Sequence, residues 1–457
     1  MPSTSSEVET LGASERGADA HLEKSTAPPQ PVATDAAAPP DVPDGGLRAW
    51  TVVAGATLTL FSSFGVVNSY GVFQSYYNTS RLTQEGESVL ALLGAIQLAC
   101  LYGLGPLIGK IFDSYGCSIL MPLGSLLIVF SLMMLSICQP DQLYQYFLSQ
   151  AVLFGIGCAM VFTPALAILG HWFRHRRGLA LGIVAGGSSL GGVIYPITLQ
   201  RLLPRIGFGW AVRTMAFIDL ACLAFACATM RTRLPLRRQP AKSFLKFIDV
   251  GGFRDARFCL ATALAFFMFY ALFIPYFFIK QYAELQGMRP GLSQYLLPII
   301  NATGIPSRIL PGLLADRIGV LNLLIPMVLG SGVLVLALWL PARGDAAIIC
   351  FAAFYGLLSG GFVSLLPAYI ARISPQSIYG ARLGSVYAFV AIANLVGTPT
   401  AGAFVKAKTQ EGFARLIGFT GALVIGGGCF GAVAWWLEYR KAKREAREKG
   451  VEWRWYT

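Results

Sequence analysis

The chain has 457 residues, 55% of them hydrophobic and 13% charged, with a net charge of +13. A soluble domain carries about 25% charged residues, so a water-soluble globule is excluded, and the mean hydropathy of +0.59 agrees. The basic excess suggests a nucleic-acid partner until its positions are read: Lys and Arg lie in loops and in the tail, so none is expected.

Residues 1–46 are rich in Ala, Pro, Ser, Thr and Glu with almost no large apolar side chain. Such a segment cannot offset its ordering entropy and is expected to be disordered. It has no basic stretch followed by an apolar run, so no cleaved signal peptide is expected. Twelve apolar segments follow, at about 49–76, 88–109, 118–138, 143–169, 178–199, 210–230, 258–280, 292–314, 320–341, 346–371, 381–405 and 413–438. About 20 apolar residues cross a bilayer, and lipid offers no partner for an unpaired backbone group, so each segment is predicted to be a helix. The expected fold is an all-α integral membrane protein of twelve spans. Its parts are six over 47–230, a basic linker at 231–257, six over 258–439 and a tail at 440–457.

Charge placement supports that count. With both termini on one side, the even-numbered loops and the tail hold 22 Lys and Arg, and the opposite loops hold 10. The bias puts both termini in the cytosol, and the plasma membrane is the expected location. The nine cysteines sit in or beside apolar runs with no close metal-ligand spacing, so they read as small packing residues. His171 and His175 stand at i, i+4, but Trp172 replaces the Glu of a zinc-protease motif, and no metal or other cofactor is expected.

The two sets of six share a register. Gly109-x3-Asp113-x2-Gly116 returns as Gly312-x3-Asp316-x2-Gly319, and Pro164-Ala165 as Pro367-Ala368, both 203 residues on. Gly178-x3-Gly182 returns as Gly380-x3-Gly384 at 202. Three matches in register point to two parallel six-helix repeats about an axis along the membrane normal.

Single residues then stand out. Arg308 lies inside the eighth segment, where a charge costs several kcal/mol unless it faces a cavity or a partner. Asn301 is seven residues earlier, about 20° off the same face, and Gly304 on that face leaves room; together they suit an anionic or polyoxygenated group. The plainer reading is snorkelling to the cytosolic end, about 9 Å away. Asp219 is the acid nearest the middle of any span and reads as a proton carrier or as a neutral hydrogen-bonding group. Glycines at 178, 182, 186, 187, 191 and 192 make a stripe that lets another backbone approach. In the aromatic seventh segment, Tyr270 and Phe277 are candidates to line a cavity for a ring-bearing solute. Asn78-Thr79-Ser80 is a glycosylation sequon in the first outward loop. No nucleotide-binding loop, nucleophile elbow or paired-carboxylate signature occurs, so the protein is not expected to be an enzyme.

Two stretches carry a family resemblance. Pro43-Asp44-Gly45-Gly46-Leu47-Arg48-Ala49-Trp50 resembles the entry to the first helix of monocarboxylate porters. His171-Trp172-Phe173-Arg174-His175-Arg176-Arg177-Gly178-Leu179-Ala180 resembles their second signature. The likeness covers about 43–440, implies the major facilitator fold, and is similar to fungal members, which import carboxylates or a vitamin or export secondary metabolites. It also implies that Asp113, Asp316 and Arg317 sit in gating loops. Lactate carriers of the family have a helix 1 lysine where this chain has Asn68, and an Asp where it has Gly304, while Arg308 is kept. The resemblance therefore implies the fold and a solute contacted by Arg308, Asn301, Asn68 and Tyr270, and not lactate. The expected function is secondary transport by alternating access, exporting a secondary metabolite or organic anion. Uptake of a monocarboxylate or vitamin is the alternative within the class, and a transporter-like nutrient sensor the alternative outside it.

Overall fold

A computed structural model describes residues 44–174, 176–233, 250–374, 379–406 and 408–448. The expected disorder of residues 1–43, most of the linker and the end of the tail lie outside the described residues, as do the side chains of Asp113 and Asp316.

The described residues are almost entirely helical. In chain order, α1 is Leu47–Arg81, and α2 is Glu87–Gly103 continued by Gly105–Tyr115. Cys117–Ser136 is α3 and Leu143–Trp172 is α4. The 53-residue helix Arg177–Thr229 breaks at Gly207, whose φ of 76° lies outside the helical region, giving α5 at 177–206 and α6 at 208–229. Ala256–Leu285 is α7, Leu296–Ile318 is α8, Val320–Trp339 is α9, Asp345–Arg372 is α10, Tyr379–Phe404 is α11 and Gln410–Glu448 is α12. Among the described residues ten helices are long and apolar enough to cross a membrane, counting Arg177–Thr229 as one; α8 is 23 residues long but carries the polar residues around Arg308. This agrees with the twelve predicted segments.

Three boundaries differ from the sequence reading. α1 runs on to Arg81 through a wider final turn, so Asn78 lies in a helix and not in the first loop. Between α5 and α6 there is no loop over 200–209, because Pro204 and its neighbours remain helical until Gly207. α12 continues to Glu448, so the start of the tail is helical, its charged residues being good helix formers.

The repeated glycines have a physical role. Gly116 ends α2 with φ 68°, and Gly319 ends α8 with φ 95°. Each stops its helix in a backbone conformation that a side chain would strain, and the next helix starts at once. The glycine stripe of α5 sets the main packing. A Cβ at Gly187 or Gly191 would strike the carbonyls of Thr57 or Phe61 in α1, and one at Gly182 would meet the Arg308 carbonyl of α8 at 2.9 Å. α5 is therefore held between α1 and α8 at near-backbone contact. α2 packs along α11 in the same way, Gly384 lying against Pro106. These two seams, α5 with α8 and α2 with α11, join the helices before the linker to those after it.

Candidate functional site

A narrow cavity of about 40 Å³ lies between the two seams, in the interior of a helix bundle, where ligand sites commonly form. Twenty described residues from α1, α2, α4, α5, α7, α8, α10 and α11 line it, and among them Arg308 is the single charged one.

Arg308 is 5% exposed. Its Nη1 donates to the Ala185 carbonyl of α5 at 3.0 Å and to the Ser188 hydroxyl. The approach permitted by Gly182 brings those acceptors within reach. Tyr276 of α7 and Tyr102 of α2 lie beside the guanidinium. No carboxylate pairs with it among the described residues, and its Nε has no hydrogen-bond partner there. The side chain crosses to α5 and does not run to the end of the bundle, which is not a snorkelling geometry. A buried cation held by two neutral acceptors keeps donors and charge for an anion.

The other predicted solute contacts divide. Asn68 lines the cavity, and its Nδ2 donates to the Ser188 carbonyl and to Asn301 Oδ1, both at 3.2 Å. Asn301 is buried behind it, donating to Leu297 O at 3.0 Å with its amide against Gly192, and does not line the cavity. Gly304 leaves no room for a ligand, because a Cβ there would meet Ser189 Oγ at 2.9 Å: it is a packing position. Tyr270 also lies off the cavity, its hydroxyl 3.2 Å from Thr400 Oγ1 and its ring against Phe266 and Phe419. Phe277 packs on Tyr70. On α7 the cavity takes Phe269, Leu272, Phe273 and Tyr276 instead.

Asp219 is fully buried in α6, away from the cavity. Its Oδ1 accepts from the Tyr195 hydroxyl of α5, while Oδ2 has no partner among the described residues. Ser62 adjoins the carboxyl without reaching hydrogen-bond geometry. Arg317 is exposed in the last turn of α8.

Sequence reasoning missed Glu87, at the end of the bundle remote from residues 44 and 448. Its carboxylate accepts from Asn78 Nδ2 at 2.5 Å, Gln281 Nε2 at 3.1 Å and Gln74 Nε2 at 3.3 Å, and Lys408 Nζ stands 3.3 Å away. One acid thus ties α1 and α2 to α7 and to the residues before α12. Nearby, Gln200 donates to Gln294 O at 2.9 Å and Lys280 to Ser75 Oγ at 3.1 Å. At the opposite end, the Arg177 guanidinium lies 5.1 Å over the Tyr379 ring. The signal available for Glu87 was an acid opening an apolar segment, which reads equally as a helix-dipole residue.

A multi-helix membrane bundle with a central cavity and internally repeated helix ends has the geometry of a carrier. The family profile of the Major Facilitator Superfamily matches residues 51–355. The chain is 42% identical over 385 residues to the MFS-type transporter opdF of Penicillium oxalicum, covering 84% of this chain and 89% of that protein. It is 37% identical over 395 residues to the aspyridones efflux protein apdF of Emericella nidulans, covering 85% and 78%. To the agnestins efflux protein AgnL12 of Paecilomyces divaricatus it is 37% identical over 383 residues, covering 84% and 86%. The chain is a multi-pass membrane protein and belongs to the major facilitator superfamily of transporters.

Proposed function

We propose that this protein exports a small organic anion of secondary metabolism, with Arg308 as the anchor. The observation that carries this reading is the guanidinium itself: buried on the cavity wall and lacking a carboxylate partner among the described residues. Leaving a charge so placed is costly unless a ligand or water compensates it. The efflux names carried by two relatives support the direction. Within the superfamily, the entry motifs before α1 and α5 favour a monocarboxylate-porter-like member. The charge bias favours cytosolic termini and a plasma-membrane location. Transport proceeds by alternating access: the Glu87 cluster shuts the outward end while the cavity loads, and Asp113, Asp316 and Arg317 belong to the cytosolic gate.

The test is metabolite profiling of a producing strain with and without the gene. Loss of the gene is expected to raise one or more organic acids inside the cells and lower them in the medium. An acid consumed from the medium by the intact strain, and left there by the disrupted one, contradicts export and supports uptake.

A further inference from the structure

The chemistry of the cavity wall narrows the solute class, an inference that rests on the anion reading above. Seven of the twenty lining residues are aromatic. Five of them form one cluster of touching rings centred on Tyr102 of α2, and Phe273 and Tyr276 of α7 make a separate pair. The Tyr102 ring centroid lies 5.2 Å from Phe269, 5.2 Å from Tyr387, 6.0 Å from Phe162 and 6.2 Å from Phe64. Rings from five helices therefore pack on one another at the separations that aromatic groups prefer, and all five line the cavity. The hydroxyls of Tyr102 and Tyr387 make no hydrogen bond among the described residues, although both residues are buried on the cavity wall. Neither hydroxyl is sealed off from the cavity, unlike those of Tyr146 and Tyr369, so a polar atom entering the cavity can meet it.

A short hydrophilic acid answers the guanidinium and leaves the rings and hydroxyls unmet. A long aliphatic acid answers the apolar area and forgoes the ring geometry. We infer that the solute is an aromatic acid of two or more rings bearing a further oxygen function. Its anionic group lies at Arg308, and Tyr102 and Tyr387 act as specificity-determining residues.

The test is equilibrium binding to the purified full chain in lipid nanodiscs, using 3-hydroxy-2-naphthoate, 2-naphthoate, cyclohexanecarboxylate, lactate and neutral 2-naphthol as probes. Hydroxynaphthoate is expected to bind about tenfold more tightly than cyclohexanecarboxylate, from two or so aromatic contacts, and more tightly still than lactate. Tyr102→Leu should remove most of that preference. Tyr102→Phe keeps the ring and the packing, and should weaken hydroxynaphthoate several-fold while sparing naphthoate. Equal binding of lactate or cyclohexanecarboxylate, no binding of either aromatic acid, or an unchanged preference in Tyr102→Leu overturns the inference. Failure of the underlying anion reading looks different: 2-naphthol binds as tightly as hydroxynaphthoate, and Arg308→Gln changes neither.

Discussion

Arg308 and Asp219 are two buried charges in one apolar bundle, and their surroundings are opposite. Arg308 stands on a cavity wall, with Nη1 on neutral acceptors of α5, Tyr276 beside the guanidinium, and Nε without a partner among the described residues. Asp219 is enclosed between helices, with the Tyr195 hydroxyl on one oxygen, and does not line the cavity. Both pay for burial, but only the first can be compensated by something that comes and goes. Burial alone does not mark a working charge; access to a cavity does.

The largest expected effect is on the arginine side of this contrast. Arg308→Gln removes the charge and should lower solute flux about ten- to hundredfold, since a hydrogen bond to a charged group contributes about 1.5–3 kcal/mol. Flux at low solute concentration, normalised to protein at the surface, checks it. Next is Glu87, a third buried charge, which bridges the seam and not the cavity. Glu87→Ala leaves Gln281 and Asn78 without their acceptor, and a loss of about 1 kcal/mol corresponds to roughly a fivefold shift toward opening at that end. Labelling of Asn68→Cys by a membrane-impermeant thiol reagent should then accelerate by about that factor; an unchanged rate removes Glu87 from the gate. Ser188→Ala tests how the guanidinium is held. One of its two acceptors is lost and the Ala185 carbonyl remains, so a two- to fivefold fall in apparent affinity is expected with little change at saturating solute. The smallest effect belongs to Asp219→Asn, which keeps the acceptor for Tyr195 and should alter flux by less than about twofold. If proton and solute flux move together and both vanish in this variant, the contrast fails and Asp219 is a coupling residue.

Much of this was legible in the sequence, for reasons of chemistry. Hydrocarbon tolerates only helices, so apolar length located the spans. Positive φ admits glycine readily, so Gly116 and Gly319 marked equivalent helix ends 203 residues apart. A lone arginine in an apolar run marked Arg308. The cavity wall was not legible. α7 is apolar all round, so periodicity gives no hint that Tyr276 faces the cavity while Tyr270 faces Thr400. Asn301 shows the limit of a shared helical face: seven residues separate it from Arg308 by about 10 Å along the axis, far enough to place it in the seam beside Gly192. Glu87 was hidden because Gln281 and Lys408 come from more than 190 residues away.

The central claim is that the Arg308 guanidinium binds the solute, and Arg308→Lys tests it most directly. Lysine keeps the charge but replaces a planar fork that grips a carboxylate at two points with a single ammonium. It also cannot maintain both the hold on α5 and an anion contact in the same geometry. With surface abundance near normal, solute flux in Arg308→Lys is predicted to fall strongly, though less than in Arg308→Gln. Full flux in the lysine variant would contradict the account and remove Arg308 from the binding site.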